Sequence, residues 1–168
     1  MGAQTSLQAD RKDVVAALDA IRRMVRTLRT SATDIERSTG LSAAQTFVLA
    51  LLAEEPAESM NDLAARTLTD QSSVSVVVSR LEAKGLVERG QSSSDARRTR
   101  VRITEAGRAR LAGRPVTVQA RLIRALETLP PMALAQLGEH LTHVTMLMGS
   151  AHEPPSMLFE EDDPTGTT

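Results

Sequence analysis

The feature that most restricts the fold of this chain is a change of apolar period at Gly85. Before it, residues 71–84 repeat apolar side chains at helical spacing, and Asp70 is a plausible N-cap. After it the period becomes two, over 86–89 and again over 98–103. The pattern therefore predicts a helix that ends in glycine and is followed at once by two short β-strands.

The residues before this helix predict a second, shorter helix. Ser59 resembles another N-cap, apolar residues follow at 63–65, and residues 67–70 form a turn between the two helices. The polar run 90–96 joins the two strands. Two short helices at a steep angle, followed by a two-stranded ribbon, make a winged helix-turn-helix. The predicted fold class is therefore mainly α with a small β-ribbon wing.

Long helices are predicted on both sides of this unit. In the first, over 10–39, apolar residues alternate at spacings of four and three, as on one edge of a coiled coil. They are Val14, Leu18, Ile21, Val25, Leu28, Ala32 and Ile35. The last helix has the same spacings, with Leu134, Leu137, Leu141, Val144 and Met148.

A narrow apolar stripe of this kind packs lengthwise against another helix, of the same chain or of a partner subunit. We favour the partner subunit, and therefore a homodimer. The residues assigned to dimerisation are Val14, Leu18, Ile21, Val25, Leu137, Leu141, Val144 and Met148.

Local signals also predict the connections. Gly40 ends the first helix, Ser42 opens a capping box, and 47–53 forms a short buried helix. Proline lacks the backbone N–H that an α-helix needs, so Pro115 should kink or divide the helix after the ribbon, near Gly113.

These elements predict a helical dimerisation region formed by 10–40 and 105–149, and a winged domain formed by 41–104. The terminal segments 1–9 and 150–168 are polar or rich in proline and acidic residues, so we expect them to be disordered.

The net charge of −1 conceals two segments of opposite sign. From Lys84 to Arg110 there are eight basic and three acidic residues, and this basic segment includes the predicted wing. From Glu153 to Asp163 there are five acidic residues and no Lys or Arg. We expect deletion of residues 153–168 to leave the fold and the dimer intact.

The outer face of the helix at 71–84 is rich in small hydroxyl side chains. Its residues are Gln71, Ser72, Ser73, Ser75, Val76, Ser79 and Arg80. Small side chains suit a helix that enters the major groove of DNA, which is about 12 Å wide. Serine can bond to phosphates or bases, and the Val76 methyls could contact a thymine methyl. Simple solvent exposure would produce the same composition.

The predicted wing carries the other candidate DNA contacts. Arg97, near its tip, could enter a narrow minor groove, where the negative potential is strongest. Arg98 and Arg100 are better placed for phosphates. Asp95 would orient these arginines rather than contact DNA.

Composition excludes several classes of function. Without Cys there are no disulfides, thiolate metal sites or thiol switches. Phe47 and Phe159 are the only aromatic residues, which argues against stacking on single-stranded nucleic acid. No apolar run reaches the roughly 18 residues of a membrane span. We therefore expect a soluble, cytoplasmic protein.

Catalytic and metal-binding patterns are also missing. There is no Gly-rich phosphate loop and no G-x-S-x-G motif, so we do not expect an enzyme or a cofactor. Glu139, His140 and His143 lie close together on one predicted helix, but a further ligand is not evident. They are more simply polar positions beside the apolar stripe, and no metal is expected.

Several motifs together resemble the MarR family of bacterial transcription regulators. They are Asp62-Leu63-Ala64, Val74 to Leu81, Glu82 to Arg89, Asp95-Ala96-Arg97-Arg98, and Ile103-Thr104-Glu105-Ala106-Gly107. The match is dense over roughly residues 41–110, and the flanking helices fit the family architecture.

The resemblance implies a homodimeric repressor that binds a palindromic operator in double-stranded DNA, with one recognition helix in each of two successive major grooves. It assigns the major groove to Ser72, Ser73, Ser75 and Val76, the DNA backbone to Arg80, and the wing contact to Arg97. Many members release DNA when a small molecule binds; the effector of this chain is unknown.

Two positions depart from the family pattern. Many members carry an acidic residue at the position of Ser79, where it pairs with the wing arginine, so that brace is missing or replaced here. Pro115 interrupts a helix that is usually continuous. The alternative function is a winged domain used for protein contacts without specific DNA binding.

Overall fold

The computed structural model describes residues 10–91, 99–113, 116–149 and 157–159. The helices are α1 (Arg11–Thr39), α2 (Ala43–Glu54), α3 (Met60–Thr67), α4 (Gln71–Ala83), α5 (Glu105–Leu111), α6 (Val118–Glu127) and α7 (Pro131–Leu147). The strands are β1 (Val87–Gln91) and β2 (Thr99–Ile103). This is the predicted mainly α fold with a two-stranded wing. Within the described ranges, no helix combines the length and the apolar character needed to cross a bilayer.

Side chains cap the N-termini of the helices where the sequence predicts it. Ser42, Ser59, Asp70 and Thr104 each accept the backbone N–H three residues later. Such a bond satisfies one of the N–H groups that the first turn of a helix leaves without a partner. The capping predictions for α2, α3 and α4 are therefore confirmed, and Thr104 caps α5 in the same way.

A left-handed residue ends two of the predicted helices. Gly40 follows α1 with φ of 67°, and Gly85 follows α4 with φ of 68°. Glycine adopts this conformation without the steric cost of a Cβ atom. Leu68, between α3 and α4, has φ of 56° although it has a side chain. Its N–H bonds to Ala64 and Ala65 carbonyls, which ties the turn to α3.

The hydrophobic core lies in the winged domain. Its largest fully buried side chains come mainly from α2, α3, α4 and β2, and include Leu49, Leu52, Leu63, Val74, Val77, Val78, Leu81 and Val101. The core fills the space between the helix-turn-helix and the ribbon, so it fixes α4 against both. Both Val77 and Val78 of α4 are fully buried in this core.

The ribbon is antiparallel and longer at one end than the sequence predicts. Val87 is opposite Ile103 and Gln91 is opposite Thr99. The prediction that the first strand covers 86–89 and that Gly90 begins a loop was wrong, because Gly90 pairs with Arg100. A backbone ladder needs no side chain, so composition alone does not reveal this pairing.

A third short segment extends the ribbon. Ala57 exchanges two backbone hydrogen bonds with Val101, of 2.9 and 2.8 Å. These bonds join the connection between α2 and α3 to the wing.

The helix after the ribbon is divided, as predicted from Pro115. α5 ends at Leu111 and α6 begins at Val118, with Thr117 as its cap. Pro115 itself lies outside the described residues. α5 packs closely on the end of the ribbon, since a Cβ atom on Gly107 would lie 2.3 Å from the Leu86 carbonyl oxygen.

The predicted dimerisation stripes are open in the single chain. Val14, Leu18, Ile21 and Val25 on α1 are 40–46% exposed. Farther along the same stripe, Leu28 and Ala32 are half-buried and Ile35 is buried. No residue of α7 is buried, and Leu137, Leu141 and Val144 are exposed, as is Met148 directly after the helix.

The C-terminal segment departs from the predicted disorder at residues 157–159. Met157 is 2% exposed and belongs to the core cluster of the winged domain. Phe159 lines a cavity with α1 residues such as Ala32 and with Ala43 at the start of α2. The composition of the tail obscured this contact, because the short apolar run stands between proline and acidic residues. Deletion of 153–168 is therefore expected to destabilise the fold.

Met157→Ala is expected to lower the free energy of unfolding by about 2 kcal/mol, because a buried methionine is replaced by a cavity that the core fills only in part. Leu158→Ala is the matched control, since Leu158 is 41% exposed. Thermal unfolding followed by far-UV circular dichroism measures both. Equal stability of the two variants would show that Met157 is not part of the core.

Candidate nucleic-acid interface

α4 presents one buried face and one face of small polar side chains. Val74, Val77, Val78 and Leu81 are buried. Of the predicted DNA-binding residues, Gln71, Ser72, Val76 and Ser79 are exposed, whereas Ser73, Ser75 and Arg80 are half-buried. The structure therefore brings all seven together on one helix, at or beside its outward face.

Val76 is an exception on this polar face. Its side chain is 46% exposed although it is apolar, and Ser72 precedes it by one helical turn. Residues four apart lie on the same side of a helix. The outward face of α4 can thus offer a hydroxyl and a pair of methyl groups side by side.

Asp70 organises the first turn of α4. Its Oδ1 accepts the Ser73 backbone N–H at 2.9 Å and also accepts the Ser72 hydroxyl. Its Oδ2 accepts the Ser73 hydroxyl at 2.7 Å. The Ser72 and Ser73 hydrogen bonds hold the pKa of the Asp70 carboxyl far below its usual value, because they stabilise the charged form.

Arg89 links the wing to α4. Its Nη2 donates to Ser79 Oγ at 2.8 Å, and its Nε lies 3.2 Å from Glu82 Oε2. Ser79 therefore bonds to an arginine of β1, whereas the brace expected between position 79 and the wing arginine Arg97 involves a residue outside the described ranges. Sequence reasoning missed Arg89 as a positioning residue. The spacing of residues 84–89 alone does not show toward which element the arginine side chain points.

Of the three candidate arginines of the wing, the structure describes Arg100. Arg97 and Arg98 lie outside the described residues. Arg100 is half-buried, with its Nε 3.0 Å from Glu58 Oε1. A phosphate contact by Arg100 would have to compete with this ion pair.

Polar contacts, in part shielded from solvent, fix the helices behind this surface. Arg66 on α3 donates to the Leu51 and Glu55 carbonyls, at 2.5 and 3.0 Å, and so satisfies acceptors at the end of α2. At the other end of α2, Lys84 Nζ donates to Gln45 Oε1 at 2.9 Å. These contacts hold both helices of the helix-turn-helix against α2.

The structure does not assemble a metal site in the part of the chain that it describes. Glu139, His140 and His143 lie on the exposed helix α7. Across the described residues, no three His, Asp or Glu side chains are placed to bind one ion.

Comparisons with known proteins agree with this architecture. A family model described as the MarR family matches residues 39–98. A search of curated protein sequences finds no match. Many solved structures match, including the transcriptional regulator BldR from Sulfolobus solfataricus, at 27% identity and a TM-score of 0.52. That match covers 80% of this chain and 96% of BldR.

Two further structures are informative. Sco3205, a MarR family transcriptional regulator from Streptomyces coelicolor solved in complex with DNA, has 23% identity and a TM-score of 0.58. The match covers 88% of this chain and 97% of Sco3205. CouR from Rhodococcus jostii RHA1, bound to p-coumaroyl-CoA, has 28% identity and a TM-score of 0.51, with 74% of this chain and 88% of CouR covered. A MarR family model thus matches the winged domain of this chain, and the fold over most of the chain is similar to that of the solved transcriptional regulators BldR and Sco3205.

Proposed function

We propose that the protein is a homodimeric repressor that binds a palindromic operator in double-stranded DNA. The observation that carries this proposal is the outward face of α4, where small hydroxyl side chains surround the exposed Val76. Members of this family bind DNA, and the structural relative Sco3205 was solved in complex with DNA.

In this proposal α4 lies in the major groove. Its serines and Val76 contact base edges, Arg80 lies near the backbone, and Arg97 enters the adjacent minor groove. Arg98 and Arg100 bind phosphates. The Arg89 contacts to Ser79 and Glu82 support this arrangement, because they connect the wing to the face of the helix that reads the groove.

Dimerisation is proposed through α1 and α7. The 17 residues of α7 include none that is buried, and a helix of this length gains most of its stability in water from packing. A second copy of the chain supplies matching stripes, since a two-fold axis brings the same surface of both subunits together. Two α4 helices would then meet half-sites one DNA turn apart.

A small-molecule effector is proposed to bind between the winged domain and the helices that follow it. A cavity of about 260 Å³ lies there, lined by apolar residues such as Phe47, Leu111 and Ala120 and by the charged residues Glu54 and Arg124. Its size suits a small acid, with Arg124 for the carboxylate. The relatives CouR and Bordetella bronchiseptica BpsR provide precedents, with p-coumaroyl-CoA and 6-hydroxynicotinic acid respectively.

The proposed function is tested by selecting bound duplexes from a random library of about 25 bp at near-physiological salt. Enrichment of a palindrome with half-sites about 10 bp apart is the expected result. Retention without an enriched motif would contradict sequence reading. A lack of retention would favour the alternative, in which the winged domain binds another protein.

Arg97→Ala is expected to weaken binding to the selected duplex by about 1–3 kcal/mol, because the minor-groove contact is lost. Binding is measured by fluorescence anisotropy of a labelled duplex. Arg37→Ala on α1 is the control, since it removes the same charge outside the winged domain. Equal affinities of these two variants would contradict the role of Arg97.

A further inference from the structure

The first turn of α4 contains two hydroxyl groups that face one carboxylate. Ser72 Oγ bonds to Asp70 Oδ1, and Ser73 Oγ lies 2.7 Å from Asp70 Oδ2. Ser72 is exposed and Ser73 is half-buried, so both remain on the side of the helix that can approach a ligand. The orientation of these hydroxyl groups therefore affects what the helix can bind.

The chemistry of the carboxylate and the two hydroxyl groups fixes the direction of both hydrogen bonds. An ionised carboxylate can only accept hydrogen bonds, so each serine must donate its single O–H proton to Asp70. What each serine can still offer to a ligand is its lone pairs. In this state Ser72 and Ser73 are hydrogen-bond acceptors only.

Nearby DNA would not reverse this state. The negative potential of the phosphates favours protonation of a carboxylate, but the pKa of Asp70 begins far below its usual value because Ser72 and Ser73 donate to it. The N-terminus of α4 also carries a partial positive charge, which offsets the negative charge of Asp70. Asp70 is thus ionised when the protein meets DNA near neutral pH.

We propose that Asp70 determines which bases α4 accepts, by holding Ser72 and Ser73 as acceptors toward the major groove. This inference rests on the proposed function. In the major groove the donors are the amino groups of adenine and cytosine, whereas guanine and thymine present acceptors at the corresponding positions. The serines therefore favour adenine or cytosine on the contacted strand and disfavour guanine or thymine. They do not bind phosphate oxygens, which also only accept.

The resulting preference has an unusual pattern. A position that contacts Ser72 should tolerate exchange of A for C on one strand and should reject exchange of A for T or G. A donating serine would give the opposite preference on the same strand. A contact that reads only the A·T or G·C content would not distinguish A from T.

Asp70→Asn tests the proposal with little change to the helix, since Asn is as good an N-cap as Asp. The oxygen that accepts the Ser73 N–H must stay in place for the cap, so Oδ2 becomes the NH₂ donor, and the Ser73 hydroxyl is released and can donate to DNA. Library selection with both proteins at the same salt should show the A-or-C preference for the wild type and its loss in the variant. We expect discrimination to fall by roughly 3- to 10-fold, the range for one hydrogen bond.

Two controls separate base reading from charge. Asp62→Asn removes the same charge from a different helix, α3, where the Asp62 carboxylate accepts the Glu58 backbone N–H. This variant should leave the base preference unchanged. Ser73→Ala removes the hydroxyl that Asp70→Asn releases, and it identifies the base pair which that hydroxyl contacts. Where the contacted base is adenine, it is replaced by the base analogue purine, which lacks the 6-amino group. This replacement should weaken binding of the wild type, but not of Ser73→Ala.

Each outcome decides a different question. Unchanged base preference in Asp70→Asn would overturn the proposal and leave Asp70 as a helix cap. The proposal would also be overturned if the wild type preferred guanine or thymine on the contacted strand and the replacement of adenine by purine did not change its affinity. If the wild type enriches no motif at all, the proposed function fails first, and this inference fails with it.

Discussion

Replacing Ile21 by Asp should convert the protein to a monomer and lower its affinity for a palindromic duplex by at least about 100-fold. Ile21 is 40% exposed in the single chain, in the middle of the stripe on α1. A two-fold interface places the substitution twice in the same contact, so two charges would have to be buried without partners. The desolvation penalty for each amounts to several kcal/mol.

The loss of DNA affinity follows from the loss of the second binding site. A dimer that has bound one half-site holds its other α4 near the second half-site at a high effective concentration. A monomer has no such advantage, and linking two sites typically contributes 10² to 10⁴ in affinity. We therefore expect α1 to affect DNA binding although no residue of α1 needs to touch DNA.

The measurements are sedimentation for the oligomeric state and anisotropy for DNA binding. Thr30→Asp is the matched control, because it places the same charge on an exposed position of α1 outside the apolar stripe. Circular dichroism establishes that both variants fold, since the core of the winged domain does not include Ile21. A dimeric Ile21→Asp variant would refute the assignment of this stripe to the subunit interface.

Helix boundaries were predictable because the interactions that set them are local. Ser42, Ser59 and Asp70 each bond to a backbone N–H three residues later, so the relevant partners are adjacent in the sequence. The same applies to the left-handed glycines that end α1 and α4. The switch from helix to ribbon was visible for the same reason, through the change of period at Gly85.

Contacts between distant segments were not predictable in this way. The bonds of Arg89 to Ser79 and Glu82 depend on which face of β1 turns toward α4. Burial of Met157 depends on the return of the tail to a core that is built from α2, α3, α4 and the ribbon, far earlier in the chain. Neither geometry is encoded in a short spacing.

The candidate site shows the same division. The outward face of α4 followed from helical periodicity, and the structure places its predicted residues together. The orientation of the Ser72 and Ser73 hydroxyls toward Asp70 required the atomic geometry, since a serine in the first turn could equally point elsewhere. The roles of Arg97 and Arg98 are still predictions from the sequence.

DNA binding is expected to weaken by about 10³- to 10⁴-fold between 50 and 200 mM salt. If each dimer neutralises about 6 to 8 phosphates, log K falls with log salt at a slope of roughly −5 to −7. Binding releases counterions from the DNA, and added salt opposes this release. The net charge of the chain is −1, so this slope cannot arise from overall attraction. It requires basic residues to act locally, among them Arg80 and those between Lys84 and Arg110.

Arg98→Ala identifies the source of this salt dependence. If Arg98 contacts one phosphate in each subunit, its removal should make the slope less steep by nearly 2 for the dimer, at about 0.9 for each lost contact. Affinity should fall similarly for specific and unrelated duplexes, because phosphate contacts carry no sequence information. Titrations at four salt concentrations provide both quantities. An unchanged slope would exclude Arg98 from the phosphate contacts, whereas a wild-type slope near zero would exclude the electrostatic component of the proposed DNA binding altogether.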